Sequence, residues 1–286
     1  MIIFLSTPTF RSRYVLLIQL CSADLINSAA IILTGLNRID LYSTAYNTQA
    51  IPIRTSFQCS QQLWLILKLI GDLLIPISTF WMGFERFTAI NFPLFYRFHV
   101  DGKAVKFCII PGLSALFVIC SILAGIFISH KNDHLTDFYC GRKAAFGDGY
   151  GAFIYISTIS FNCLATLLNA ASYIKAIHMS KTHSRMQKQV AIIRYYLCIS
   201  TLSTLLVSLP NSIALFQLFI KHVSDSISKP AYWMQTINSG IHFFVYLALN
   251  KDFRGRTKRI FSHRESEDNL KEKRLSCKDD CTEPAN

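Results

Sequence analysis

The chain alternates long apolar runs with short polar connections, and the runs approach the roughly 20 residues needed to cross a hydrocarbon core about 30 Å thick. They fall at 14–36, 63–84, 104–129, 152–177, 195–220 and 232–249. The connections, such as HKNDHLTDFYCGRKAAFGDGYG (His130 to Gly151) and HMSKTHSRMQKQ (His178 to Gln189), have loop composition. A lone strand cannot satisfy its backbone in lipid, so the runs are predicted helices. A soluble bundle would show polar faces at a 3.6-residue period, and the runs at 104–129 and 195–220 carry almost no charge on any face. The pattern predicts one all-α membrane bundle over 1–262, including an amphipathic helix at 251–261, and a disordered polar tail at 263–286.

Composition agrees: of 286 residues 51% are hydrophobic and 16% charged, against about a quarter charged in soluble domains. The net charge of +12 sorts by loop. Connections on the side of Met1 hold Arg11, Arg13, Arg97, Lys103, Lys106, Lys175, Lys181, Arg185, Lys188, Arg194, Lys251, Arg254, Arg256, Lys258, Arg259 and Arg264. The opposite side holds fewer than half as many: Arg38, Arg54, Lys131, Arg142, Lys143, Lys221 and Lys229. The cation bias predicts that both termini are cytoplasmic. Anionic inner-leaflet lipid accounts for it, so nucleic acid is excluded as a partner.

With that orientation, GFERFTAINFPLFYRF (Gly83 to Phe98) lies at the inner end of a span. Its core, ERFTAINFPLFY, resembles the DRY-x-A-I-x-x-P-L-x-Y signature that ends the third helix of rhodopsin-like G-protein-coupled receptors. Glu85, Arg86, Ala89, Ile90, Pro93, Leu94 and Tyr96 match, and Phe87 replaces the usual Tyr. FRSRYVLLIQLCSADL (Phe10 to Leu25) is similar to the first cytoplasmic loop and second helix, with Asp24 at the buried acidic position. SLPN (Ser208 to Asn211) supplies the sixth-helix proline, and HFFVYLALNKDFR keeps Tyr246 and Phe253 of the N-P-x-x-Y segment and following helix. The Asn and Pro of that segment are His242 and Phe243. Among these receptors the chain looks most like the nematode serpentine chemoreceptors of the Srsx class.

The resemblance implies a seven-transmembrane receptor bundle lacking its first helix, with six spans present, because the chain opens inside the first cytoplasmic loop. It implies a plasma-membrane protein, with sensory cilia as a narrower location. The implied partners are a heterotrimeric G protein on the cytoplasmic face, a small extracellular ligand, membrane lipid and a second receptor copy in a dimer. Glu85, Arg86 and Tyr246 are the implied coupling and activation switch, with Glu85 holding Arg86 at rest. Cys59 and Cys140, both on the oxidising side, match the family's disulfide. Asp24 matches its sodium-linked residue, although His242 and Phe243 change the expected partners.

Trp64, Lys68, Asp72, Gln217 and Gln235 are candidate ligand contacts. At 1.5 Å rise per residue, Lys68 and Asp72 lie roughly 27 and 21 Å above Arg86, in the outer half, where an ionisable group usually marks function. An i, i+4 pair that neutralises itself is the competing account of both. Enzymatic chemistry finds no support: no Gly-rich phosphate loop occurs, and Ser/His/Asp arrangements fall on opposite membrane faces or in the tail. CKDDC lacks a second ligand pair, so no metal or other cofactor is expected. The reading is a chemosensory G-protein-coupled receptor that is not itself an enzyme. The alternatives are a neuropeptide or other ligand receptor of the same fold, a non-signalling truncated receptor and a membrane transporter.

Overall fold

The computed structural model describes residues 14–50, 53–102, 105–136, 140–180 and 186–219, and in the last apolar run residues 234, 236–242, 244–245, 247–248, 254–255 and 257. The sequence-based tail at 263–286 lies outside the described residues, as do Tyr246, Gln235 and most of 251–261. Helix α1 is Val15–Thr48, and the short α2 is Ser56–Ser60. Next come α3, Leu63–Asn91, and α4, Ile110–Lys131, which continues a π-helical turn at Val105–Ile109. Helix α5 is Arg142–Ser180, broken at Gly147. Helix α6 is Met186–Ser203, followed through a π-helical turn, Thr204–Ser208, by α7, Leu209–Phe219. Five helices among the described residues are long and apolar enough to cross a membrane: α1, α3, α4 with its turn, α5, and α6 joined to α7. The described part of the run at 232–249 is helical as well. The architecture is all-α apart from a two-residue strand, Arg54–Thr55, paired antiparallel with Leu135–Thr136.

Helix α3 is the central element. Of its most apolar stretch 61% is buried, against 28 to 39% for the other four spans found among the described residues, so of these five it is the most enclosed by protein. The burial pattern of α4 shows what surrounds the rest. Its buried side holds Ser114, Val118, Ser121, Gly125 and Ser129, while Leu113, Leu116, Ile119, Leu123 and Phe127 are exposed. Hydroxyl and small residues inside with bulky apolar residues outside is the arrangement a lipid solvent favours, because lipid does not drive leucines inward as water does.

Small residues let the helices approach. A Cβ added at Gly71 of α3 would stand 2.7 Å from the Cβ and 3.1 Å from the Cα of Asn27 on α1. At Gly83 it would stand 3.0 Å from the carbonyl oxygen of Ala165 on α5. At Gly125 of α4 it would meet the Tyr150 ring of α5 at 2.7 Å, and the Tyr150 hydroxyl donates to the Ser121 carbonyl at 2.6 Å. Gly71→Ala, which pushes on backbone rather than on a flexible side chain, is expected to destabilise the bundle by about 1–3 kcal/mol. A lowered melting temperature in detergent would register it; an unchanged one would mean that α1 and α3 part without cost.

Two apolar clusters fill the interior. One gathers Leu16, Leu17, Leu20, Ile75, Met82, Tyr195, Tyr196 and Ile199. The other gathers Cys59, Leu65, Leu69, Leu73, Ile77, Val118, Phe146, Tyr150 and Ile154. On α3 they meet at Ile75 to Ile77, around Pro76, which withholds a helix hydrogen bond. The Thr79 hydroxyl there donates to the Pro76 carbonyl at 2.8 Å and approaches Asn162 Oδ1 of α5 at 3.3 Å. Between α5 and the α6–α7 span, Thr166 and Thr204 hydroxyls lie 2.7 Å apart, and Asn169 Nδ2 donates to Ser200 Oγ at 3.2 Å.

Candidate functional site

The two ends of α3 carry different chemistry. At its C-terminal end the residue before Pro93 must leave the helical region, and Phe92, at φ −132° and ψ 64°, does so. The chain then restarts in a turn through Tyr96 and doubles back, so that the Tyr96 hydroxyl donates to Glu85 Oε1 at 3.0 Å. Lys106 closes the cluster: its Nζ lies 3.0 Å from Glu85 Oε1, 2.8 Å from Asp101 Oδ1 and 2.8 Å from the Tyr96 hydroxyl. Burial and the Glu85 carboxylate push the Tyr96 phenol up to about 12, so it remains a donor. Arg86 sits farther from Glu85, at 3.7 Å. Its guanidinium instead covers the Tyr196 ring of α6, 4.8 Å from the centroid, with Nη2 to the Tyr196 hydroxyl at 3.5 Å. The expected Glu85–Arg86 pair is thus the looser contact, and Lys106 and Tyr196 hold the two residues. Sequence reading counted Lys106 only as a loop cation and had no reason to single out Tyr196.

Midway along the bundle, Asp24 on α1 accepts from or shares a proton with His242 on the last span, Oδ2 to Nδ1 at 2.9 Å. His242 Nε2 reaches Ser203 Oγ on α6 at 3.0 Å. This corrects the sequence-based view that Ser/His/Asp arrangements fall only on opposite faces or in the tail: three residues on three spans converge here, which linear order does not show. Ser203 is fully buried, so the row ties helices together and offers no nucleophile to a substrate. His242, standing where the resemblance expects Asn, supplies Asp24 with a partner. Alongside, Asn27 Nδ2 donates to Ser239 Oγ at 2.7 Å. A cavity with room for roughly one water lies against Asn27, Gly71, Asp72, Asn238 and Ser239.

The N-terminal end of α3 is tied down covalently. A disulfide joins Cys59 to Cys140, the pair the resemblance implies. Around it the strand pair is extended by the Ser56 amide donating to the His134 carbonyl at 2.8 Å. Asp133 Oδ1 accepts from the Phe57 amide at 3.0 Å and the Ser56 hydroxyl at 3.2 Å, and the Phe57 amide holds the Asp133 carboxyl below its usual range. Just past Cys140, Arg142 enters the bundle. Its Nη1 lies 2.7 Å from Asp72 Oδ2, and its guanidinium sits over the Tyr155 ring at 4.9 Å.

Trp64, Lys68 and Asp72 occupy one face of α3 at successive i, i+4 positions, and Lys68 and Asp72 are both buried. The structure brings Arg142 to Asp72 at the inner end of this row. It places Gln217 elsewhere, half-buried near the end of α7. Arg142 was missed because a cation two residues after a loop cysteine reads as loop. The available signal was Asp72 itself, a buried carboxylate that requires a counter-charge.

The sequence model of the family described as serpentine type 7TM GPCR chemoreceptor Srsx matches residues 1–261. No curated protein matches the chain.

Proposed function

Because the chain belongs to the Srsx serpentine chemoreceptors, we propose that it is a plasma-membrane receptor that senses a small molecule on its disulfide-bonded side and activates a heterotrimeric G protein on its Arg86 side. The observation that carries this reading is the division of labour at the inner end of α3. Glu85 is occupied by Lys106 and Tyr96, which leaves Arg86 engaged with a residue of a different span, Tyr196. An outward shift of α6 would take Tyr196 away and leave the guanidinium facing a newly opened cytoplasmic cavity, where a G-protein segment can accept its hydrogen bonds. A ligand that favours the opened packing shifts the population by its differential affinity alone.

Reconstitution with a G protein tests the proposal through nucleotide exchange. Glu85→Gln weakens the charged contacts that fix the inner end, and losing about 1.4 kcal/mol from the closed state raises basal exchange roughly tenfold. Arg86→Gln is expected to remove exchange while leaving surface expression intact. Exchange that survives Arg86→Gln and ignores Glu85→Gln would overturn this role for the cluster.

A further inference from the structure

Resting on that reading, we infer that the outer half of the bundle binds a small organic cation with N–H donors, an amine or a guanidine, at the place on Asp72 that Arg142 fills when no ligand is present. The pair has the form of a binding site with its own ligand attached. Arg142 Nη1 donates to Asp72 Oδ2 at 2.7 Å, and the guanidinium lies over the Tyr155 ring, 4.9 Å from the centroid. A carboxylate at the edge of a cation and an aromatic face beneath it are what hold an ammonium or guanidinium in a water-poor pocket. Here the cation comes from the same chain. Asp72 has 1% of its side chain exposed against 14% for Arg142, so Arg142 is the member that a molecule arriving from the disulfide side can displace. Its backbone stays fixed while the side chain swings, because the Cys59–Cys140 bridge holds the chain just before it and the fully buried Phe146 holds it one turn after.

Charge decides the class of ligand. Taking Arg142 away leaves a buried carboxylate without the partner it contacts, which is strongly unfavourable; a cation that replaces Arg142 avoids this, and an anion or a neutral molecule does not. The exchange puts one cation where another was, so Lys68, one turn away on α3, meets the same charge before and after. Hydrogen-bonding capacity points the same way. Asn27 and Asn238, 2% and 1% exposed, each bury a side-chain oxygen that has no donor among the described residues, and both line the one-water cavity beside Asp72. Arg142 does not border that cavity. An ammonium or guanidinium carries several N–H donors, so a cation free of the chain can bond to Asp72 and still turn a donor toward those oxygens. A trimethylammonium group, with no N–H, cannot.

The test uses the full chain in lipid nanodiscs and a panel of alkylamines and alkylguanidines from methyl to octyl, with phenethylamine. Each is paired with the alcohol, the carboxylate and the trimethylammonium compound of the same skeleton. Thermal stability is the readout, since binding to the folded state alone raises it. At least one amine or guanidine is expected to raise the melting temperature of the wild-type receptor while its three analogues do not. Arg142→Gln is expected to bind that cation roughly tenfold more tightly or better, since the wild-type site is competent only while Arg142 is away, and to regain stability when the cation is added. Asp72→Leu with Arg142→Met, which lacks both the carboxylate and the tethered cation, is expected not to respond. A wild-type response that this double variant loses supports the site even where Arg142→Gln does not fold on its own. Equal stabilisation by the alcohol, carboxylate or trimethylammonium analogues, an undiminished response of the double variant, or no response of the wild type to any cation would overturn the inference. A cation that binds without stimulating nucleotide exchange would count against the G-protein reading and leave this site standing. Exchange driven only by ligands that lack a cationic N–H would do the reverse.

Discussion

Cys59→Ser and Cys140→Ser are each expected to cost about 4 kcal/mol and to remove most of the receptor from the cell surface. The bridge joins residues 81 apart, and closing a loop of that length restricts the unfolded chain by about 4 kcal/mol in the chain-entropy account. The same bond anchors the segment that delivers Arg142 to Asp72, so its loss also loosens a buried ion pair. The double variant should be no worse than either single one, since all three remove the same bond. Melting curves of the purified protein with and without reductant would decide it: a reduced receptor that melts where the oxidised one does would show that the bridge is not a stabilising element.

The second large effect is expected at Asp72. Asp72→Asn takes from the half-buried Arg142 guanidinium the carboxylate it contacts at 2.7 Å, and removing one partner of a buried pair typically costs about 3–5 kcal/mol. Replacing both partners with apolar groups of similar size removes the uncompensated charge as well, so Asp72→Leu with Arg142→Met should recover much of the loss. This double-mutant cycle, read as surface expression and melting temperature, separates the pair from its surroundings. A double variant as unstable as the sum of the singles would show that the two residues do not support one another.

Much of this was legible in the linear pattern. The apolar runs located the spanning helices, and ERFTAINFPLFY carried the receptor resemblance because Pro93 and Tyr96 build the return turn that reaches Glu85. Helix limits were less legible. Helix α1 runs on to Thr48, well past Leu36, because a helix satisfies its own backbone and need not stop where apolar residues do. Side-chain destinations were the least legible. Arg142 and Lys106 were counted as loop cations because charge counting assigns residues to a membrane side and says nothing of depth. His242 read as a lost Asn, since its value depends on Asp24, which comes near only when the first described span and the last lie side by side.

That juxtaposition has a consequence for how the protein is made. Asp24 and His242 are 218 residues apart, and at synthesis rates of roughly 5–20 residues per second the histidine emerges about 10–40 s after the aspartate. Throughout that interval α1 is already in place with a carboxylate whose histidine partner has yet to be translated. The earliest described helix is thus among the last to be completed chemically.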